Sequence, residues 1–89
     1  MEEVDLEYMH KYGTLLTPIV EVAALLGVDE LQLLEEMENH NSPIRKAYMK
    51  GLAETGEELR SQMIEAVHAG SPSATEQALT ALHHCYKDL

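Results

Sequence analysis

The chain has 89 residues, of which 45% are hydrophobic and 25% are charged, and its sixteen acidic and six basic side chains give a formal net charge of −10. This length suits one small domain with a modest aliphatic core, so we predict a single helical domain over residues 1–89. A surface this acidic disfavours tight binding to nucleic acid and to anionic membranes, and it favours basic partners.

The cysteine content and the charge of the first residues indicate the cellular location of the protein. Cys85 is the single cysteine and has no partner for an internal disulfide, and Glu2, Glu3 and Asp5 make the start acidic where a signal peptide would be basic. No uncharged run approaches the roughly twenty residues that are needed to span a bilayer. We therefore expect a cytoplasmic protein that is not integral to a membrane.

The first two predicted helices both end at a glycine. The first is short, and its apolar face consists of Val4, Tyr8 and Met9. We predict that it ends at Gly13. The second begins with Thr17 as the N-cap and Pro18 at the first helical position, and it ends at Gly27. Because apolar residues dominate the second helix, we expect it to be mostly buried.

The third predicted helix begins at a capping aspartate and runs to about Glu38. Asp29 is the N-cap, and Val28 and Leu33 have the spacing of a hydrophobic staple. The apolar side of this helix continues with Leu31, Leu34 and Met37.

A long fourth helix follows a second cap-and-proline signal, Ser42 before Pro43. The residues of one face then recur at steps of three or four, and this spacing predicts one helix of about 26 residues. That face consists of Ile44, Tyr48, Leu52, Thr55, Leu59, Met63 and Val67. Gly51 and Gly56 each cost such a helix roughly 1 kcal/mol relative to Ala, so each marks close packing, a bend or a break. Gly70 ends the helix.

Two overlapping caps are available for the fifth helix. Ser71 precedes Pro72, and Ser73 forms a capping box with Glu76, so either pair can start it. One face of this helix consists of Ala78, Leu79, Leu82, Cys85, Tyr86 and Leu89. The turn is short, and we therefore predict an antiparallel helical hairpin over residues 43–88. The resulting fold class is an all-α domain of four to five helices.

Residues 14–40 have the pattern of a helix-turn-helix-like unit. Ala23, Gly27, Val28 and Leu33 provide a small residue, a turn glycine and two apolar residues at the spacing used where two short helices cross. An ordinary tight corner between two helices produces the same pattern, so both interpretations stay open. In a DNA-binding unit the helix from Asp29 to Glu38 would enter the major groove.

Five polar residues are the candidates for contact with nucleic acid. Gln32 and Asn39 are the side chains at the third helix with base-reading chemistry, because that helix carries acids and no Lys or Arg. Arg45, Lys46 and Lys50 form the basic group that could meet phosphates or an acidic partner. The competing interpretation of this group is a solvated helix start that balances the acidic segment before it.

The sequence offers no constellation typical of catalysis. We find no nucleophile with its base, no phosphate-binding glycine loop and no carboxylate pair in an apolar setting. His83, His84 and Cys85 are neighbours on a helix and point about 100° apart, so they do not converge on one metal ion. We predict a non-enzymatic protein without cofactor or metal, and we expect Cys85 to lie in the core.

The order of these signals resembles the small subunits of phage terminases over about residues 15–80. The resemblance is carried by Thr17, Pro18, the run Val22 to Val28, Ser42, Pro43, Ala47, Tyr48, Gly51, Leu59, Arg60 and the run Ala69 to Pro72. It implies a DNA-packaging accessory with a helix-turn-helix for viral DNA, a ring-forming helical region and contact with the ATP-driven large subunit. The reading helix would be Asp29 to Glu38, and the assembly hairpin would be Pro43 to Leu82.

Two hypotheses of function follow from the sequence. The leading one is a terminase small subunit-like accessory that forms homo-oligomers, contacts duplex DNA weakly or with help, and binds a large subunit-like or other protein partner. The alternative is an acidic protein-interaction module that docks a basic partner. Salt-dependent binding to duplex DNA distinguishes them.

Overall fold

The computed structural model describes residues 4–87, with the side chain of Tyr86 left aside. The described residues form five helices: α1 (Leu6–Thr14), α2 (Ile19–Leu26), α3 (Glu30–Glu38), α4 (Pro43–His68) and α5 (Pro72–Lys87). They contain no strand, which confirms the predicted all-α fold. No helix between residues 4 and 87 combines the length and the apolar character needed to cross a membrane.

The chain divides into two compact units, Met1–Gly56 (unit 1) and Glu57–Leu89 (unit 2). The boundary falls inside α4, whose 26 residues form the single long helix that the sequence predicts. A single domain over residues 1–89 stays a prediction.

The start and end of α1 depend on two features of unit 1. The Asp5 side chain caps the helix by accepting from the Glu7 backbone N–H at 2.9 Å. The predicted end at Gly13 was wrong by one residue, because α1 continues to Thr14 and Gly13 is a buried position within the helix. Gly13 lies where α1 crosses α4, and the absence of a side chain lets the two helices pack closely.

The predicted cap of α2 was also displaced by one residue. Pro18 is the N-cap, its carbonyl accepts from the Val22 N–H at 3.0 Å, and the helix begins at Ile19. Thr17 instead turns its carbonyl toward the core, where it accepts from the Tyr48 hydroxyl at 2.7 Å. A tertiary hydrogen bond therefore fixes the chain just before α2.

The crossing of α1 and α4 explains one of the two glycines in α4. A Cβ added at Gly51 would lie 2.8 Å from the Thr14 nitrogen, and one added at Gly13 would lie 2.9 Å from the Leu52 nitrogen. Real Cβ atoms do not approach backbone so closely, so both positions require glycine. Of the three explanations open for Gly51, close packing is correct, and α4 runs through Gly56 without a break.

The core of unit 1 draws on all four helices of that unit. Its buried side chains are Met9, Val22, Ala23, Leu33, Ile44 and Tyr48. A second tie joins α4 to α1, where the Thr55 hydroxyl donates to the Thr14 carbonyl at 2.6 Å. Burial raises the pKa of Tyr48 above its ordinary value of 10.0. The core is therefore aliphatic, with one phenol whose hydroxyl is satisfied by backbone.

Two expectations about burial in α2 and α3 were wrong. The second helix is not mostly buried, because Val20 and Leu25 are 54% and 63% exposed. The expected apolar side of α3 is also displaced, since Leu31 is 71% exposed and Leu33 is the buried residue. Each of these short helices meets the core along one narrow stripe, and its other apolar residues remain outside.

Unit 2 contains the last turns of α4 and the whole of α5. Gly70 adopts a left-handed φ of 89° after α4, and the Ser71 side chain then caps α5 by accepting from the Ala74 N–H at 3.3 Å. Of the two caps left open, the pair Ser71 and Pro72 is therefore correct. The antiparallel hairpin over residues 43–88 stays a prediction.

Few hydrophobic side chains are buried in the described part of unit 2. Ala74 is the one buried hydrophobic residue among the described residues of this unit. Cys85 is exposed, so its predicted place in the core was wrong. The physical reason is that one helical pair of unit 2 does not cover the apolar face of α5.

Candidate functional site

The corner between α2 and α3 is built by the four residues that the sequence singles out. Gly27 takes a left-handed φ of 70°, and the Val28 N–H donates to the Ala23 carbonyl at 3.0 Å. Ala23 and Leu33 are buried, and Val28 packs against the same core. A three-residue turn joins the two short helices, in which Ala23, Val28 and Leu33 serve packing and Gly27 serves the turn.

The outer side of α3 carries a continuous exposed stripe. Leu31, Leu34, Glu35 and Glu38 are exposed, and their spacing of three, four and seven residues places them on one side of the helix. We call these four residues the α3 stripe. Where a DNA-reading helix would present Arg, Asn or Gln, this helix presents leucines and carboxylates.

Gln32 and Asn39 lie near opposite ends of α3. The Gln32 backbone N–H donates to the capping Asp29 side chain at 3.0 Å, while its own side chain is exposed. The Asn39 side chain is occupied with the turn after α3, where it accepts from the Asn41 N–H at 3.0 Å. Of the two, Asn39 therefore has a local structural role.

Arg45 is placed where it supports the fold. Its guanidinium donates to the Met37 carbonyl at 2.5 Å, near the last turn of α3. Beside it, the buried Ser42 hydroxyl donates to a Glu36 carboxylate oxygen at 2.6 Å. These two hydrogen bonds join the end of α3 to the start of α4, so Arg45 offers less of its charge to a ligand than the sequence suggests.

The two lysines of the basic group lie farther along α4. Both Lys46 and Lys50 are exposed. Lys50 borders a shallow cleft between α1 and α4 whose other lining residues are Leu6, Glu7, His10 and Ala47. A nearby hydrogen bond joins the side chains of His10 and Glu54 across the same two helices. The acidic groups at this cleft offset the lysine, so the basic group does not form a cationic surface on its own.

Charge is divided unevenly between the two units. Unit 1 contains eleven acidic and four basic residues, for a formal charge of −7, and unit 2 contains five acidic and two basic residues, for a formal charge of −3. Phosphate backbones are therefore repelled most strongly by the unit that contains the α2 and α3 pair.

Unit 2 exposes several large apolar side chains. Leu79 and Leu82 on α5 are 61% and 51% exposed, and Leu59 and Ile64 on α4 are exposed as well. We call the α5 pair, Leu79 and Leu82, the unit 2 apolar surface, because Leu59 and Ile64 are five residues apart on α4 and border different clefts. Periodicity could identify the face of each helix, but it could not show that so little of the chain covers it.

The described residues hold no group of three His, Cys, Asp or Glu side chains placed to bind a metal ion. The rings of His83 and His84 lie edge to face with centroids 6.5 Å apart. The shallow cleft along α5 is lined by side chains of that one helix, which are Ser73, Glu76, Gln77, Thr80, Ala81 and His84. The Thr80 hydroxyl donates a hydrogen bond to the Glu76 carbonyl at 3.1 Å.

Comparison of the chain with protein-family models, with curated proteins and with solved structures gives no match.

Proposed function

We propose that this chain is a non-catalytic assembly and binding protein, in which unit 2 associates with copies of itself and unit 1 binds a partner. One observation carries the proposal: the described part of unit 2 buries Ala74 alone among its hydrophobic residues and exposes four larger ones. Leu79 and Leu82 adjoin each other on α5, and adjoining exposed apolar residues support an interaction site.

The energetic argument rests on the apolar area left in water. Burial of apolar surface contributes about 25 cal/mol per Å², and a full leucine side chain contributes roughly 1.5–3 kcal/mol. Leu79 and Leu82 are one helical turn apart, so one partner helix can cover both. A second copy is a suitable partner because unit 2 carries less negative charge than unit 1 and repels itself less.

The resemblance to terminase small subunits gives this assembly a biological setting. It implies an assembly region at Pro43 to Leu82, and the unit 2 apolar surface lies within that range. A role in phage DNA packaging would then have the oligomer contact a large subunit-like partner. The order of the motifs and the position of this surface support the proposal.

A second candidate activity is weak contact with duplex DNA. The three-residue turn with a left-handed Gly27 favours it, because helix-turn-helix units use such a corner. The cations available are Lys46 and Lys50, while the α3 stripe contributes two carboxylates. We therefore propose DNA contact that needs low salt or the help of a partner.

Analytical ultracentrifugation over a range of protein concentrations tests the assembly. We expect the wild type to form dimers or larger oligomers, and Leu79→Glu with Leu82→Glu to give a monomer. The matched control is Leu15→Glu with Leu25→Glu, which changes two leucines of unit 1 that are equally exposed and should leave assembly intact. A wild type that stays monomeric at every concentration would contradict the proposal and favour a monomeric interaction module.

A further inference from the structure

The α3 stripe lies on the side of α3 opposite the buried Leu33. Leu33 is fully buried and Met37 packs beside it, so the core side of α3 is already occupied. Leu31 lies on the other side with 71% of its surface exposed, and Leu34 is 38% exposed one turn later. One largely exposed and one partly exposed leucine on the same side of a helix fit a ligand with an apolar face.

Carboxylates adjoin these leucines. Glu35 and Glu38 are exposed members of the stripe, and no Lys or Arg occurs in the sequence from Asp29 to Ile44. A ligand that covers the leucines therefore meets negative charge at its edge. The corresponding occupant has apolar residues along one side and cations beside them.

We propose that the α3 stripe is a docking site for a basic amphipathic helix of a partner protein. The proposal rests on the binding role given above to unit 1. The partner's apolar side would cover Leu31 and Leu34, and its Lys or Arg residues would pair with Glu35 and Glu38. Recognition of an amphipathic helix by apolar anchors at three- and four-residue spacing is an established mode.

Charge favours this occupant over two others. Duplex DNA would bring phosphates against the two carboxylates, and it has no apolar face to cover the leucines. A second copy of unit 1 would bring together two units of formal charge −7. A cationic helix satisfies both parts of the stripe. The contact is small, so its affinity is modest and its association falls as salt rises.

The probe is a synthetic helical peptide with leucines on one side and lysines flanking them, and its control is a peptide of the same composition with the pattern scrambled. Binding is measured by fluorescence anisotropy at low and at physiological salt, with amide NMR shifts to locate the contact. We expect the amphipathic peptide to bind more tightly than the scrambled one and to shift the amides of α3.

Two pairs of variants separate apolar contact from charge. Leu31→Ala with Leu34→Ala should weaken binding by about tenfold, while Leu15→Ala with Val20→Ala should leave it unchanged. Glu35→Gln with Glu38→Gln should weaken binding and flatten its salt dependence. The matched charge control, Glu57→Gln with Glu58→Gln, removes the same charge from unit 2. Circular dichroism verifies that each variant stays folded.

Specific results would overturn the docking site. Equal binding of the scrambled peptide, or equal loss in the control variants, would show general attraction of a cation to an acidic protein. Weaker duplex DNA binding after Leu31→Ala with Leu34→Ala would show that the stripe contacts DNA. A monomeric protein that still binds the amphipathic peptide would remove the assembly proposal and leave the docking site standing.

Discussion

Gly13 of α1 and Gly51 of α4 bring two helices so close that neither position has room for a methyl group. The Cβ of an alanine at Gly51 would collide with the His10 carbonyl oxygen and lie 2.8 Å from the Thr14 nitrogen. Since the obstructing atoms are backbone, one of the two helices would have to move.

Gly51→Ala should therefore destabilise the protein by about 1–3 kcal/mol, the usual cost of overpacking. The sign is informative, because helix propensity alone would make the substitution stabilising by roughly 1 kcal/mol. Urea denaturation measures the free energy of unfolding. Ala53→Gly, at an exposed position of α4, gives the propensity term by itself. A more stable Gly51→Ala variant would show that the crossing is looser than described.

Tyr48→Phe should cost about 1 kcal/mol in the free energy of unfolding at neutral pH. The substitution removes the hydroxyl that donates to the Thr17 carbonyl and leaves a carbonyl without its protein donor. Tyr8→Phe changes an exposed tyrosine and should have little effect. Equal stability of the two variants would mean that water replaces this hydrogen bond at no cost.

Stability should fall at alkaline pH through the same residue. Burial raises the folded-state pKa of Tyr48 above its ordinary value of 10.0, so the folded state holds this proton more tightly than the unfolded state. The contribution is fully present below the unfolded-state pKa and is lost as pH rises through the folded-state pKa. Comparison of wild type with Tyr48→Phe above pH 10.0 should show a smaller alkaline loss in the variant.

The thiol of Cys85 should report on assembly. It is exposed and lies one turn beyond Leu82 on α5, so a thiol reagent should label it readily in dilute folded protein. If copies associate through the unit 2 apolar surface, labelling should slow as protein concentration rises. Leu79→Glu with Leu82→Glu should remove that dependence. Slow labelling at every concentration would instead place Cys85 inside a single folded chain.

Binding to duplex DNA should be weak and should depend on the two exposed lysines. Lys46→Glu with Lys50→Glu should abolish binding at low salt without unfolding the protein, whereas Arg45→Glu should also destabilise the joint with Met37. Glu35→Gln with Glu38→Gln should strengthen binding by removing repulsion. Tight binding at physiological salt that weakens in this last variant would reverse the electrostatic argument.

Local signals in the sequence predicted most helix boundaries correctly. The cap at Asp29 and the turns at Gly27 and Gly70 depend only on residues nearby in the sequence. They can therefore be predicted without the tertiary structure. The start of α2 was displaced because Thr17 has a distant partner, the Tyr48 hydroxyl. Long-range hydrogen bonds of this kind leave no periodic trace in the sequence.

Exposure was harder to predict than helical structure. The spacing of apolar residues gives the side of a helix on which they lie, but not how many neighbouring residues cover that side. Leu31 was therefore expected on the apolar side of α3 and Cys85 in the core, whereas both are exposed. Among the candidate residues, Arg45 could be identified as cationic but not as the partner of a carbonyl at the end of α3. Sequence alone could not assign it to structure or to binding.

The short joint around Ser42 and Arg45 affects the entropy cost of recognition at α3. Asp29 caps the first turn of α3, and the hydrogen bonds to Glu36 and Met37 secure its last turn. Hydrogen bonds at both ends of α3 oppose fraying, and this favours an outer side that is ordered before a ligand binds. A partner helix would then lose its own freedom on docking but not that of α3, and this lowers the entropy cost of the encounter.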